Sequence, residues 1–405
     1  MNHSRKVASL KIDRRQFMED GYIILRDVVP PATLGPLRDA VERMVEGRRG
    51  RTSQKPLPNQ PPSGTWADSR QPWLIFSTDC DSGLAIEFLL GETTLGVCRQ
   101  LIDAEHVAVH NMNAICSSDT HDTGPGSWHR DLGPGEPAPL LGMIANTERH
   151  GPSYLQWNVA LYEDSILWIV PQSHKRVNNA AEDQQLFENP SVPLPGGMAV
   201  ELGPGDGDLY THLLLHWGSN YTRKIRRTIH VGYRAFNFAS MPNVHWRHWE
   251  PGFHHHLSDD ARAQFEACDA LYLGEIELFA ETFRAIIDGR PDAFAEAFSQ
   301  LHPSPHERLV SLAMLNNLSL RLHQWKLGEA PVASVCSTEG DSDYFGGFFT
   351  AEDSEVLRQR LAVLDARLRL PKGEEQRGWQ RWPSPYRANE MPADFTVDDF
   401  VASWR

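Results

Sequence analysis

Hydrophobic and polar positions change their rhythm twice along the chain. Residues 14–50 read as helix, strand, helix: a short helical start in "RRQFMED", a break at Gly21, then the apolar run Tyr22–Val29. Leu34, Leu37, Val41, Met44 and Val45 follow at helical spacing, with Gly50 as the expected stop. Residues 51–70 are rich in Pro, Ser and polar groups and read as a loop or an ordered flap. From about 105 to 240 the rhythm shortens. "HVAVHNMNAI", "APLLGMIA", "SYLQWNVALYED", "SILWIVPQSHK", "GMAVELGPGDGDLYTH", "LLLHWGSN" and "RRTIHVGYRAF" are short, rich in β-branched and aromatic residues, and punctuated by Gly, Pro, Asn and Asp. They predict strands of a sandwich or barrel rather than βαβ units.

Beyond about 255 the pattern is helical. One amphipathic stretch opens with Ser258 at a cap and closes at Gly289, and "PDAFAEAFSQL", "SPHERLVSLAMLNNLSLRLHQWKLG" and "AEDSEVLRQRLAVLDARLRLP" predict three more helices. The expected organisation is mainly β with helical layers: a β domain with N-terminal helices over 1–255, and a mostly helical C-terminal extension over 256–405 packing on it.

Composition narrows the function classes. The 405 residues carry a net charge of −14 and are 40% hydrophobic and 23% charged, which suits a chain with a large core. Nucleic-acid partners require clustered Lys and Arg, so none is expected. The five cysteines are scattered without a CxxC pair, which favours reduced thiols in the cytoplasm. The first residues lack a signal peptide's apolar core, and no run approaches the roughly 18 apolar residues of a membrane span, so no membrane partner is expected.

The candidate chemistry sits in "GSWHRDLGP", residues 126–134. Residues i and i+2 of an extended segment point to one face, so His129 and Asp131 would project together. Two His and one carboxylate on one face of Fe(II) form the facial triad of non-haem oxygenases, leaving the other positions for substrates and O2. The third ligand must lie far along the chain. His216, which ends the run Leu213–Leu215 before a Gly-Ser-Asn turn, is the preferred residue, and His212 is its competitor. Such a site also needs an electron donor. If this is 2-oxoglutarate, its distal carboxylate wants a buried Arg, and "NYTRKIRRTIHVGY" offers Arg226 and Arg227 on adjacent, oppositely facing positions.

In order along the chain, "FMEDGYIILRDVVPPATLGPLRDAVERMV", "WHRD", "LWIVPQSHKR" and "HWGSNYTRKIRRTIHVGY" resemble the phytanoyl-CoA dioxygenase family. The resemblance covers roughly residues 14–240. It implies a double-stranded β-helix (a jelly-roll, cupin-like core) and an Fe(II)- and 2-oxoglutarate-dependent dioxygenase that hydroxylates a small organic molecule with O2, releasing succinate and CO2. Residue by residue, it implies His129, Asp131 and His216 as iron ligands and Arg226 as the 2-oxoglutarate anchor, with Arg227 the alternative because the spacing from His216 to Asn220 is one residue short. It also implies Met112 and Trp157 beside the cosubstrate. Asp131 argues for hydroxylation or another oxidation over halogenation, since related halogenases lack that carboxylate. The loop from Ala114 to Trp128 is long for the family, and the extension after 255 exceeds what its core needs. Those late helices are the expected surface for a homodimer.

Other features have plainer readings. The five histidines of "HWRHWEPGFHHH" (245–256) follow no ligand spacing and read as a rim loop. His174 is expected to tie a turn to the barrel, and Asp206 and Asp208 to form a turn. The competing function, of a different class, is a non-catalytic ligand- or partner-binding β-helix protein with a relic metal site.

Overall fold

The computed structural model describes residues 10–54, 72–73, 80–117, 125–132, 138–219, 224–236, 253–301, 308–329, 339–373 and 386–404. The described strands form two antiparallel sheets. β1 (Tyr22–Leu25), β2 (Pro72–Trp73), β3 (Val107–Ser117), β4 (Tyr154–Ala160), β7 (Gly207–Thr211) and β9 (Arg226–Ala235) make a six-stranded sheet in the order β1-β7-β4-β9-β3-β2. β5 (Leu167–Ile169), β6 (Met198–Ala199) and β8 (His216–Gly218) make a smaller one in the order β6-β5-β8. Leu167, Ile169, Val200, Leu202 and Leu214 meet Ala160 and Tyr210 of the larger sheet in one apolar cluster.

The other side of the large sheet is mostly apolar. Leu155, Trp157 and Val159 of β4, Leu209 of β7, and Ile229, Val231 and Tyr233 of β9 belong to a continuous core. That core takes in α1 (Arg14–Asp20), α2 (Pro31–Gln54), α3 (Cys80–Leu89), α4 (Leu95–Leu101) and α5 (Leu140–His150). α6 (Ala180–Glu188) follows the turn after β5 and is capped at both of its first-turn groups by Asn179 and Glu182. Two-residue alternation therefore divides the sheet into an apolar face against helices and a polar face toward the second sheet.

α1 shows how locally the entry to the sheet is fixed. Asp13 caps it, and Gly21 ends it at φ +83°, its N–H donating to Phe17 O at 2.8 Å. A Cβ at Gly21 would lie 2.4 Å from His174 Nδ1. His174 Nε2 donates to Met18 O at 3.1 Å, so His174 does tie its turn to the first helix and strand.

Two helical expectations change. "APLLGMIA" is not a strand but the start of α5. Leu140, Met143, Ile144 and Thr147 are buried at 3–4-residue spacing, a period hidden when the run is cut at Ala145. α2 runs through Gly50 to Gln54; a single Gly costs about 1 kcal/mol, too little to stop a long helix.

After residue 253 every described helix or strand is helical. Ser258 caps α7 (Asp259–Ile287), as expected, and α8 (Pro291–Leu301), α9 (Arg308–Lys326) and α11 (Ala351–Leu368) match the three later patterns. α10 (Glu339–Gly347) and α12 (Val397–Ala402) are additional. Among the described residues, no helix is long and apolar enough to cross a membrane. Most of the 51–70 loop and of the histidine-rich 245–256 segment lies outside the described residues.

Candidate metal centre

The His129–Asp131 segment is extended but is not a strand of either sheet. It is joined to β8 by a single bridge, in which His129 N donates to His216 O at 3.0 Å and His216 N to His129 O at 2.9 Å. Asp131 N donates to His212 O at 3.0 Å and Gly126 N to Gly218 O at 2.8 Å. Alternation then sends the neighbouring Trp128 and Trp217 to the far side, where their rings stack at 5.3 Å. Each indole N–H is satisfied, Trp128 on Val192 O and Trp217 on Gly126 O. The histidines on the near side are thus set by tryptophans on the other.

On that near side three ligand atoms, one each from His129, Asp131 and His216, lie within 4.8 Å of one another. His129 Nε2 is 3.1 Å from Asp131 Oδ1, and His216 Nε2 is 3.2 Å from Asp131 Oδ2. Both imidazoles are fixed the same way: Nδ1 of His129 donates to Ser127 O at 2.7 Å, and Nδ1 of His216 to Leu214 O at 2.8 Å. Each ring therefore turns its Nε2 to the centre, the nitrogen a metal needs. Gln156 Nε2 donates to Asp131 Oδ2 at 2.7 Å. Burial alone would raise the Asp131 carboxyl, but the facing imidazoles of His216 and His129 hold it well below the usual carboxylate range. Two imidazole nitrogens and one carboxylate, mutually close and separately oriented, fit a divalent iron. The His129 side chain is 50% exposed while His216 is buried, so the cluster opens on the His129 side.

His212 is outside this cluster. Its ring is buried edge-on to Tyr154 at 5.5 Å, and burial pushes it down to about 4. Arg130 was not singled out from sequence. It lies on the far side, donating to Ser173 O at 2.8 Å and Asn178 Oδ1 at 2.8 Å, and also to Leu213 O, so it ties the β7–β8 turn behind the ligands.

The cosubstrate residues separate by face. Arg226 is on the polar face, where its Nε donates to Asp164 Oδ2 at 2.7 Å and Thr228 Oγ1 at 3.2 Å. Its two terminal nitrogens have no other partner among the described residues. Arg227 is turned to the helix side, where its Nε meets Glu42 Oε1 of α2 at 3.0 Å; as an anchor it is corrected. Met112 and Trp157 are corrected as well. Both are fully buried in the apolar layer against the helices. For Met112 the cause is a bulge between Val109 and Asn111, which shifts the alternation by one residue. The positions on the polar face are instead Asn113, Gln156 and Asn158, and Asn158 Oδ1 accepts from His230 Nδ1 at 2.8 Å. The signal was present in sequence as "QWN", where polar residues flank the apolar one. Asp206 is a turn residue, accepting from Gly203 N at 2.8 Å, but Asp208 sits inside β7 and is buried.

A solved structure of HygX from Streptomyces hygroscopicus, with nickel and 2-oxoglutarate bound, is 17% identical over 56% of this chain and 89% of its own, with a TM-score of 0.40. EvdO2 from Micromonospora carbonacea var. aurantiaca, complexed with 2-oxoglutarate, is 16% identical over 57% of this chain and 93% of its own, with a TM-score of 0.37. EctD from S. alaskensis, in its apoform, is 19% identical over 57% and 82%, with a TM-score of 0.35. No curated protein matches the chain. The family model for phytanoyl-CoA dioxygenase (PhyH) matches residues 17–228, more than half of the 405 residues and a span that takes in all three clustered ligands and Arg226. The chain belongs to the phytanoyl-CoA dioxygenase family.

Proposed function

We propose that this 2-oxoglutarate-dependent oxygenase hydroxylates a small organic molecule, on a double-stranded β-helix formed by the two sheets. Its cofactors are Fe(II), 2-oxoglutarate and O2. The observation that carries the reading is the convergence of His129, Asp131 and His216 with both imidazoles held by backbone carbonyls so that Nε2 faces the centre. When bound, iron and 2-oxoglutarate together supply the oxidising power that O2 alone lacks kinetically, with succinate and CO2 as by-products.

The chain's own residues do the holding. His129, Asp131 and His216 would occupy one face of the metal, and Gln156 keeps Asp131 from turning away. Arg226 would grip the distal carboxylate of 2-oxoglutarate with its terminal nitrogens while Asp164 and Thr228 fix its Nε edge. The polar face between them, lined by Asn113, Asn158 and His230, gives the cosubstrate hydrogen-bonding walls. Substrate would enter on the exposed His129 side. The boundary near 255 and a homodimer through the late helices belong to the same reading; Leu327, Tyr344, Phe348 and Val363 are exposed apolar side chains there. Sedimentation velocity at low and high concentration tests the dimer.

Anaerobic addition of Fe(II) and 2-oxoglutarate should give the weak visible charge-transfer band of the chelated metal. The band is expected to vanish in His129→Ala and to need more 2-oxoglutarate in Arg226→Ala. With O2 admitted and a substrate panel supplied, succinate should accumulate. Absence of both band and succinate in the wild type would leave the binding-protein reading in its place.

A further inference from the structure

Strand register lines up one row of side chains across the polar face of the large sheet: Asp208 on β7, Asn158 on β4, His230 on β9 and Asn113 on β3. The next row on one side holds Gln156, which reaches the iron ligand Asp131. The next on the other side holds Thr228, which shares Asp164 with Arg226. The row therefore lies between the metal ligands and the guanidinium, along the path a bound 2-oxoglutarate would span.

His230 Nδ1 donates to Asn158 Oδ1 at 2.8 Å, which leaves the Asn158 amide N–H groups toward Asp208 and Tyr210. Asp208 is 1% exposed, and neither of its carboxylate oxygens has a hydrogen-bond partner among the described residues. A carboxyl group so buried and so bare is costly unless something completes it. Its surroundings cannot supply a charge. Burial pushes Asp208 well above the usual carboxylate range, the nearby Asp164 pushes the same way, and Arg226 and the adjacent Asn158 amide oppose them without prevailing. His230, from β9, is held down at about 4 by burial and is neutral. Tyr210 on its own strand is held far above the usual phenol range, again by burial first. β4 contributes the uncharged Asn158, and β1 places Ile24 opposite. Arg226 is thus the single cation facing Asp208 among these groups, and it is already paired with Asp164. A third anion could join only if one of the carboxyl groups carried a proton.

We propose that Asp208 is a specificity-determining residue for the cosubstrate, its carboxyl O–H donating a hydrogen bond to the distal carboxylate of 2-oxoglutarate as that group settles beside Arg226. This rests on the reading of Arg226 as the anchor. It makes cosubstrate binding proton-linked: where Asp208 gives up its proton as pH rises, two like charges face the incoming dicarboxylate and affinity falls.

The experiment titrates the anaerobic Fe(II) protein with 2-oxoglutarate from about pH 6 to about pH 9, reading the charge-transfer band, for wild type, Asp208→Asn and Asp208→Leu. The series is repeated with pyruvate, which offers the same keto-acid chelate and no distal carboxylate. Wild type should weaken toward alkaline pH. Asp208→Asn, which keeps a donor, should bind within about threefold of wild type near neutrality and lose the alkaline weakening. Asp208→Leu should bind 2-oxoglutarate about tenfold more weakly, with pyruvate unchanged. The inference is overturned if the Leu variant binds 2-oxoglutarate like wild type, or if 2-oxoglutarate and pyruvate weaken equally. Should the Leu variant not fold, the pH profile of the Asn variant still decides, since an unchanged alkaline weakening there overturns it. A wild type that gives no band with 2-oxoglutarate removes the cosubstrate reading itself, whereas a normal wild-type band with indifferent variants removes only this role.

Discussion

Gln156 does for Asp131 what the carbonyls of Ser127 and Leu214 do for the two imidazoles: it limits each ligand to one useful orientation. Removing such a support characteristically weakens metal binding by about 10–100-fold, and Gln156→Leu is expected to do so in a competitive Fe(II) or Co(II) titration. Asp208 carries a stability signature separate from any ligand. Its folded-state carboxyl is raised, so the neutral form favoured by the fold is fully present below the unfolded pKa near 4, and that contribution is lost as pH rises. Asp208→Asn should therefore melt at a higher temperature than wild type at pH 7, and the gap should close at about pH 4; thermal melts at the two pH values check the sign. At this scale His129, Asp131 and His216 were legible because two of them are neighbours on an extended segment, and that spacing needs no knowledge of the fold. Gln156 and Asp208 were not, because what they touch depends on which strands adjoin and in which register.

Register is a property of elements, and there the sequence misled in an instructive way. Alternation was readable in β4 and β9, but not which half of it faced the helices. The family resemblance implies Trp157 beside the cosubstrate, yet the helices on the other face take the larger apolar surface. In β3 the bulge after Val109 turns Met112 to the helix side, and nothing in "VAVHNM" announces an extra residue. α5 was mistaken for a strand because eight residues are too few to separate the two periods. One connection between elements is testable directly. Arg234 of β9 and Glu275 of α7 form a buried two-bond ion pair, at 2.8 and 3.0 Å. Arg234→Met strips Glu275 of its guanidinium, and urea denaturation should show a loss of about 3–5 kcal/mol, with much of it regained when Glu275→Leu is added.

For the molecule as a whole, the apolar layer behind the large sheet is continuous from Phe17 and Val41 through Trp157 and Tyr233 to Phe279, Phe283 and Leu361. Helical periodicity announced the late helices, but not that they would share one core with the sheet, since a face's partner is invisible in a single chain's pattern. A shared core melts together: calorimetry should record one transition, and a chain ended near 255 should expose the sheet's outer face and aggregate. The same layer ties the history of the two halves. The family match ends at residue 228, yet side chains from beyond 257 complete the surface that the matching half leaves open. A chimera carrying another relative's helices would fail unless the outward residues of β3, β4 and β9 travelled with them, so the two halves must change in step.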